Sequence, residues 1–220
     1  MLDLPVPAYE CVVDKVDSVT HENVKERALL AMQELEGWCS PQKAATLMDL
    51  IFLTRPQTVV EVGVFGGKSL IPMAFALKAL DSGVVYGIDP WSAPESMVGK
   101  MDEANREWWA KVDYNAIYNG LVSKIKKFKL QKQVQLIKAS SEGAKEIENI
   151  DILHIDGNHS EETSCFDVLK WVPLVRRGGL IIFDDLDWAS TQKASNMLQD
   201  YGVQFLELKE GNVWGVWIKQ

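Results

Sequence analysis

The chain has 220 residues, 47% of them hydrophobic, enough to bury the core of one globular domain spanning 1–220. Its 23 Lys and Arg against 31 Asp and Glu leave a formal charge of −8, which disfavours a nucleic-acid backbone or an anionic membrane as partner. With no stretch near the roughly 18 apolar residues of a membrane span, no basic-then-apolar leader in MLDLPVPAYE, and no paired spacing among Cys11, Cys39 and Cys165, a cytoplasmic chain with reduced thiols is expected.

Residues 1–55 read as a helical N-terminal extension whose second helix opens at Ser40-Pro41, a hydroxyl cap before a proline at the first helical position, and stops near Arg55-Pro56. The helices of 20–55 offer a surface for a homodimer or higher homo-oligomer. TVVEVG (58–63) is a β-branched run ending in glycine and leading into the helical pattern SLIPMAFALKAL (69–80). VVYGID (84–89), VQLIKA (134–139), DILHID (151–156) and GLIIFDD (179–185) follow at intervals that leave room for crossover helices. This alternation predicts an α/β, doubly wound, Rossmann-like and mostly parallel sheet with helices on both faces. VQFLEL (203–208) and VWGVWI (213–218) close the chain as a hairpin, and hence an antiparallel edge. The connection 90–132 is long for a loop and holds Trp91, Trp108, Trp109, Tyr114 and Tyr118. It predicts a helical insertion that acts as a lid, most of its aromatics serving as core.

Parallel sheets place ligands beyond the carboxyl ends of their strands. The first strand ends in Glu61-Val62-Gly63-Val64-Phe65-Gly66-Gly67-Lys68-Ser69, where Gly63 and Gly67 permit a tight turn and a close approach of backbone to ligand. A phosphate-binding loop needs glycine at Val62, so the turn is one residue short, although LIIFDD resembles the acidic strand of nucleotide triphosphatases. Phe65 and Lys68 break the dinucleotide fingerprint. Glu61 suits a ligand bearing an ammonium and a sulfonium better than a polyphosphate. Asp89 stands where an acidic side chain accepts ribose hydroxyls, and Ser140 and Ser141 either meet an adenine edge or cap the next helix. Asp156, Asp184 and Asp185 converge on one rim and, as hard oxygen donors, suit Mg²⁺ or another divalent cation. His159, three residues past Asp156, points towards the same cleft, whereas His21 and His154 lie at a helix start and in a strand interior.

These residues together resemble the class I S-adenosylmethionine-dependent O-methyltransferases over roughly 56–220. VVEVGVFGGKSL is similar to the first motif of that family and VYGIDPW to its second, while HIDGNHS followed by GGLIIFDDLDW is similar to the macrolide-sugar O-methyltransferase and cephalosporin-hydroxylase-like branch. The resemblance implies a seven-stranded sheet with an antiparallel C-terminal strand. It implies cofactor contacts from Glu61, Gly63, Gly67 and Asp89, with Ser69, Pro90, Trp91 and Asp156 beside them and Ser140 or Ser141 near the adenine. Asp156, Asp184 and Asp185 become metal ligands. His159 replaces the lysine of the catechol-type enzymes and becomes the general base. The expected reaction is metal-assisted transfer of a methyl group to a hydroxyl of a small sugar or phenol; the competing readings are a nucleotide triphosphatase and a non-catalytic S-adenosylmethionine-binding protein.

Overall fold

The computed structural model describes residues 20–99, 103–210 and 212–220. The part of the predicted extension at 1–19 and the part of the insertion at 100–102 lie outside these residues. Helices α1 (His21–Met32) and α2 (Pro41–Thr54) open the described chain. Thr20 and Ser40 cap them, Ser40 Oγ accepting the backbone N–H of Lys43 at 2.9 Å. Strand β1 (Thr58–Val62), α3 (Leu70–Ala79) and β2 (Val84–Asp89) follow, then the insertion as three helices, α4 (Ala93–Ser96), α5 (Glu103–Lys111) and α6 (Tyr114–Lys127). Strands β3 (Val134–Lys138) and β4 (Ile150–Ile155), helix α7 (Glu161–Trp171), β5 (Val175–Phe183), α8 (Gln192–Met197), β6 (Gly202–Glu210) and β7 (Asn212–Lys219) complete the chain.

All seven expected strands form, in the order β3-β2-β1-β4-β5-β7-β6. Strands β1 to β5 pair in parallel, joined by helices except between β3 and β4. The closing hairpin forms at one side of the sheet, with the last strand antiparallel as expected. Antiparallel β7 is inserted between β5 and β6, leaving β6, which runs parallel to the other five, at the border. No helix among the described residues is long and apolar enough to cross a membrane.

One sheet face, carrying Val59, Ile152, Leu180, Ile182, Trp214 and Val216, packs under α2 and α3; the other, carrying Val60, Leu153, Ile155, Ile181 and Phe183, packs under α7 and α8. Burial of this kind stabilises by about 25 cal/mol per Å² of apolar surface. Because side chains alternate across a strand, the face is inherited by the residue two positions on. That rule decides where the polar residues at the strand ends point.

Candidate functional site

Glu61 is two residues past Val59, His154 two past Ile152, and Asp184 two past Ile182. Glu61 and His154 are register partners on neighbouring strands, and His154 pairs in turn with Ile182. All three therefore sit beneath the N-terminal helices, in a part of the core otherwise apolar. Glu61 Oε1 accepts from Ser69 Oγ and lies 2.9 Å from His154 Nδ1. His154 Nε2 lies 3.7 Å from Asp184 Oδ1 and 3.9 Å from Asp156 Oδ2. From α2 above, Lys43 reaches in, its Nζ hydrogen-bonded to Asp184 Oδ2 and 3.4 Å from Asp156 Oδ2, with the Trp214 ring centroid 5.9 Å away.

Charge is balanced inside this cluster. Burial opposes the charge on Lys43, but the carboxylates of Asp156 and Asp184 outweigh it and hold the ammonium well above the usual lysine range. Burial and Lys43 work against a charged His154; Asp184 and Glu61 reverse this and raise its pKa to about 9, so it is an imidazolium at neutral pH. Asp184, despite burial, is pulled far below the carboxylate range by Lys43 and His154. Asp156 goes the other way, pushed up to about 7 by burial and by the neighbouring Asp184 charge. Its side chain is 27% exposed, against 2% for Lys43 and Asp184, so Asp156 is the one of these three that opens to solvent.

Asp185 stays on the rim, within reach of Asp156, but with partners of its own. It follows Asp184 directly, beyond the end of β5, and has φ 52°, a left-handed backbone. Its Oδ2 is 2.9 Å from His159 Nε2 and its Oδ1 accepts from Asn212 Nδ2 at 3.2 Å. His159 packs edge-on to Trp188, ring centroids 4.9 Å apart. Burial lowers the His159 pKa, but the hydrogen bond and charge of Asp185 prevail and raise it. With Nε2 bonded to Asp185, proton transfer at this imidazole runs through Nδ1. The loop bearing it is fixed by Asn158, whose Oδ1 accepts from Ser160 N at 2.8 Å and whose Nδ2 donates to Val98 O at 3.0 Å on the insertion.

The predicted metal set, Asp156, Asp184 and Asp185, is therefore not one set. The donors divide into two groups that share Asp156: His154, Asp156 and Asp184, and Asp156, His159 and Asp185. A divalent ion would need carboxylate oxygens at about 2.0–2.6 Å. In the first group the Lys43 ammonium fills that place. In the second, both oxygens of Asp185 are bonded to His159 and Asn212. The residues present do not fit the expected ion.

The glycine turn is held differently from expectation as well. Asp89 Oδ2 accepts the backbone N–H groups of Val64 (3.0 Å) and Phe65 (2.9 Å), and Oδ1 that of Trp91 (2.7 Å). Three of about four acceptor positions are thereby used, leaving one for a ribose hydroxyl. Burial raises the Asp89 pKa and these backbone bonds oppose the rise. Gly63 has φ 87°, and a Cβ there would stand 2.0 Å from the carbonyl oxygen of Asp156. This glycine lets β1 and β4 meet at their carboxyl ends. Gly67, with φ 80°, is closed in by Leu121 of α6.

Other predicted contacts are occupied by the fold. Glu61 and Ser69 are buried on each other. Ser141 donates to Asp167 of α7, and Ser140 Oγ accepts Gly143 N at 3.2 Å within a turn; no helix lies between β3 and β4, so the helix-cap alternative does not hold. Trp91 is buried, donates Nε1 to Phe65 O at 2.8 Å and packs on Tyr118; Pro90 is half-buried beside it. Above the turn, Trp38, Phe65, Trp108 and Trp109 form an aromatic cluster with centroids 4.8–6.4 Å apart, so the insertion does lie over the glycine turn. Sequence reasoning missed two residues. Two-residue alternation with Asp156 placed His154 on the site face, and helical spacing with Leu47 and Leu50 placed Lys43 on the inward stripe of α2.

The strand order, the glycine turn after β1 and the carboxylates ending β4 and β5 define the class: a class I methyltransferase sheet. A sequence profile described as a methyltransferase domain matches residues 60–186, more than half the chain, and the chain belongs to that family. No curated protein matches it in sequence. Among solved structures the fold is similar to an O-methyltransferase from Bacillus cereus in complex with SAH, at TM-score 0.63 and 15% identity, over 90% of this chain and 91% of that one. It is also similar to the O-methyltransferase TomG from Streptomyces achromogenes in complex with SAM (TM-score 0.59, 14% identity, 90% and 89% covered). SAH-bound PaMTH1 from Podospora anserina matches at TM-score 0.61 and 13% identity over 100% of both chains.

Proposed function

We propose that this chain is a cytosolic S-adenosylmethionine-dependent O-methyltransferase of a small hydroxylated acceptor, a phenol or a sugar. The observation that carries the reading is the His159–Asp185 pair, set beside partly exposed Asp156 at the carboxyl ends of β4 and β5. The SAH and SAM complexes of its structural neighbours support the cofactor. When bound, S-adenosylmethionine supplies an electrophilic methyl group. Asp89 accepts one ribose hydroxyl with its remaining lone pair, and Asp156 faces the reacting end. Trp188, 47% exposed, offers an apolar wall for the acceptor. His159 Nδ1 would take the proton of the acceptor hydroxyl, while Asp185 would steady the imidazolium through Nε2. Alignment of the two reacting atoms supplies most of the acceleration.

Metal assistance, expected from the sequence, is left out of this reaction because Lys43 stands where the ion would bind. Calorimetric titration with S-adenosylhomocysteine and, separately, with ATP tests the cofactor. Release of S-adenosylhomocysteine in the presence of a panel of phenols and sugar diols tests the reaction. ATP binding without S-adenosylhomocysteine binding would refute the reading; cofactor binding with no turnover on any acceptor would favour a non-catalytic binding protein.

A further inference from the structure

Lys43 lies far from the rest of the site in sequence, on a helix outside the matched methyltransferase domain, yet its ammonium is at the centre of the carboxylates. Helix α2 cannot easily withdraw it. The helix is capped by Ser40, and Leu47, Met48 and Ile51 anchor it in the core under the same sheet face. Lys43 is 2% exposed, so taking its charge away from Asp184 would leave a buried carboxylate without its nearest partner. A divalent ion approaching Asp184 would meet the Lys43 ammonium, which already holds Oδ2; the other oxygen, Oδ1, has no hydrogen-bond partner among the described residues and faces His154 Nε2 at 3.7 Å. Asp185, its expected third ligand, is engaged by His159 and Asn212 instead.

We propose that the Lys43 ammonium is the resident cation of this site, standing where a divalent ion would bind, so that the chain positions Asp156 without a metal. The proposal rests on the reading of this cleft as the methyl-transfer site for its chemistry, but its cation arm is independent of that reading. Lys43 is a positioning residue. It is sealed from solvent and acts through Asp184, which it holds ionised, and through Asp156, whose described contacts with Lys43 and His154 both fall on Oδ2. Oδ1 is held by neither of them. The N-terminal helices are then part of the site rather than an appendage to it.

The test is a titration of the metal-free full-length chain with Mn²⁺, followed by electron paramagnetic resonance of the free ion and by calorimetry. The wild type should show no site tighter than about 1 mM. Lys43→Ala should open one site at least tenfold tighter, which the double variant with Asp184→Asn loses and Lys43→Arg, retaining the charge, does not open. Lys43→Met keeps most of the side-chain volume without the charge and serves where the alanine variant fails to fold. One equivalent of Mn²⁺ bound by the wild type at micromolar concentration would overturn the proposal by itself, whichever aspartates hold it. So would folded Lys43→Ala and Lys43→Met chains that take up Mn²⁺ no better than the wild type. S-adenosylhomocysteine binding is read on the same samples: its absence would sink the proposed function and leave the assignment of the cation standing.

Discussion

His154 makes the stability of this fold depend on pH in a direction that can be worked out. The folded chain holds the imidazolium between Glu61 and Asp184 with a pKa of about 9, against about 6.5 for an unfolded histidine. A raised pKa means that the folded state binds the proton more tightly, so the contribution is complete below about pH 6.5 and is lost as pH rises through about 9. At 1.36 kcal/mol per pH unit the full effect is about 3 kcal/mol, of which about 2 kcal/mol disappears between about pH 7 and 8.5. That window avoids two other groups. Asp156, raised to about 7, contributes its own slope mainly below it, and burial pushes the Cys39 thiol to about 12, so that Cys39 acts only above it. The perturbation is His154→Asn, whose amide can still donate to Glu61 but does not titrate. Urea unfolding of both chains at several pH values measures the difference. The wild type should lose about 2 kcal/mol more across the window than the variant, in which only His159, also raised, keeps a slope of this sign. Equal slopes in the two chains, or a flat wild type, would refute the charged-histidine account.

Further outcomes follow from the same geometry. His159→Gln should lose about 10²–10⁴ in turnover with S-adenosylhomocysteine affinity intact, and the wild-type rate should rise with pH through an inflection above about 6.5, since Asp185 raises this imidazole; pH–rate profiles of both chains decide it, and an unchanged profile in the variant would make His159 a positioning residue. Asp89→Ala removes the acceptor of three backbone N–H groups and of the ribose, so calorimetry should show at least about tenfold weaker cofactor binding together with a lower melting temperature. Unchanged affinity in a folded Asp89→Ala chain would remove Asp89 from the site. Gly63→Ala drives a Cβ against the Asp156 carbonyl at a positive φ and should destabilise the chain by about 3 kcal/mol or more, read by thermal unfolding; a native-like melting temperature would show that β1 and β4 can part there.

Much of the architecture was legible because its causes are local. Runs such as TVVEV and VVYGID favour strands through side-chain shape, Ser40-Pro41 starts a helix by satisfying its free N–H groups, and each apolar run ends in a residue that stops it. The site's neighbourhood was legible for a related reason: a parallel sheet collects the ends of its strands on one rim, so Asp89, Asp156, Asp184 and Asp185 had to lie near one another. The placement of β7 inside the sheet was not, because either order of the hairpin satisfies the same alternation.

Which carboxylate meets which cation was settled only by tertiary packing. Asp184 and Asp185 are neighbours in the chain and look like one ligand pair, but beyond the end of β5 the left-handed backbone at Asp185 leaves one bonded to Lys43 of α2 and the other to His159. Lys43 and Asp184 are 141 residues apart, and nothing local to either foretells the bond. The sequence by itself determined the strands, the turn and the stock of charged groups at their ends, since these depend on contacts a few residues long. Only the packing of α2 on the sheet decided that an ammonium stands among the carboxylates, because burying unlike charges together depends on which faces meet, and that is a property of the assembled fold.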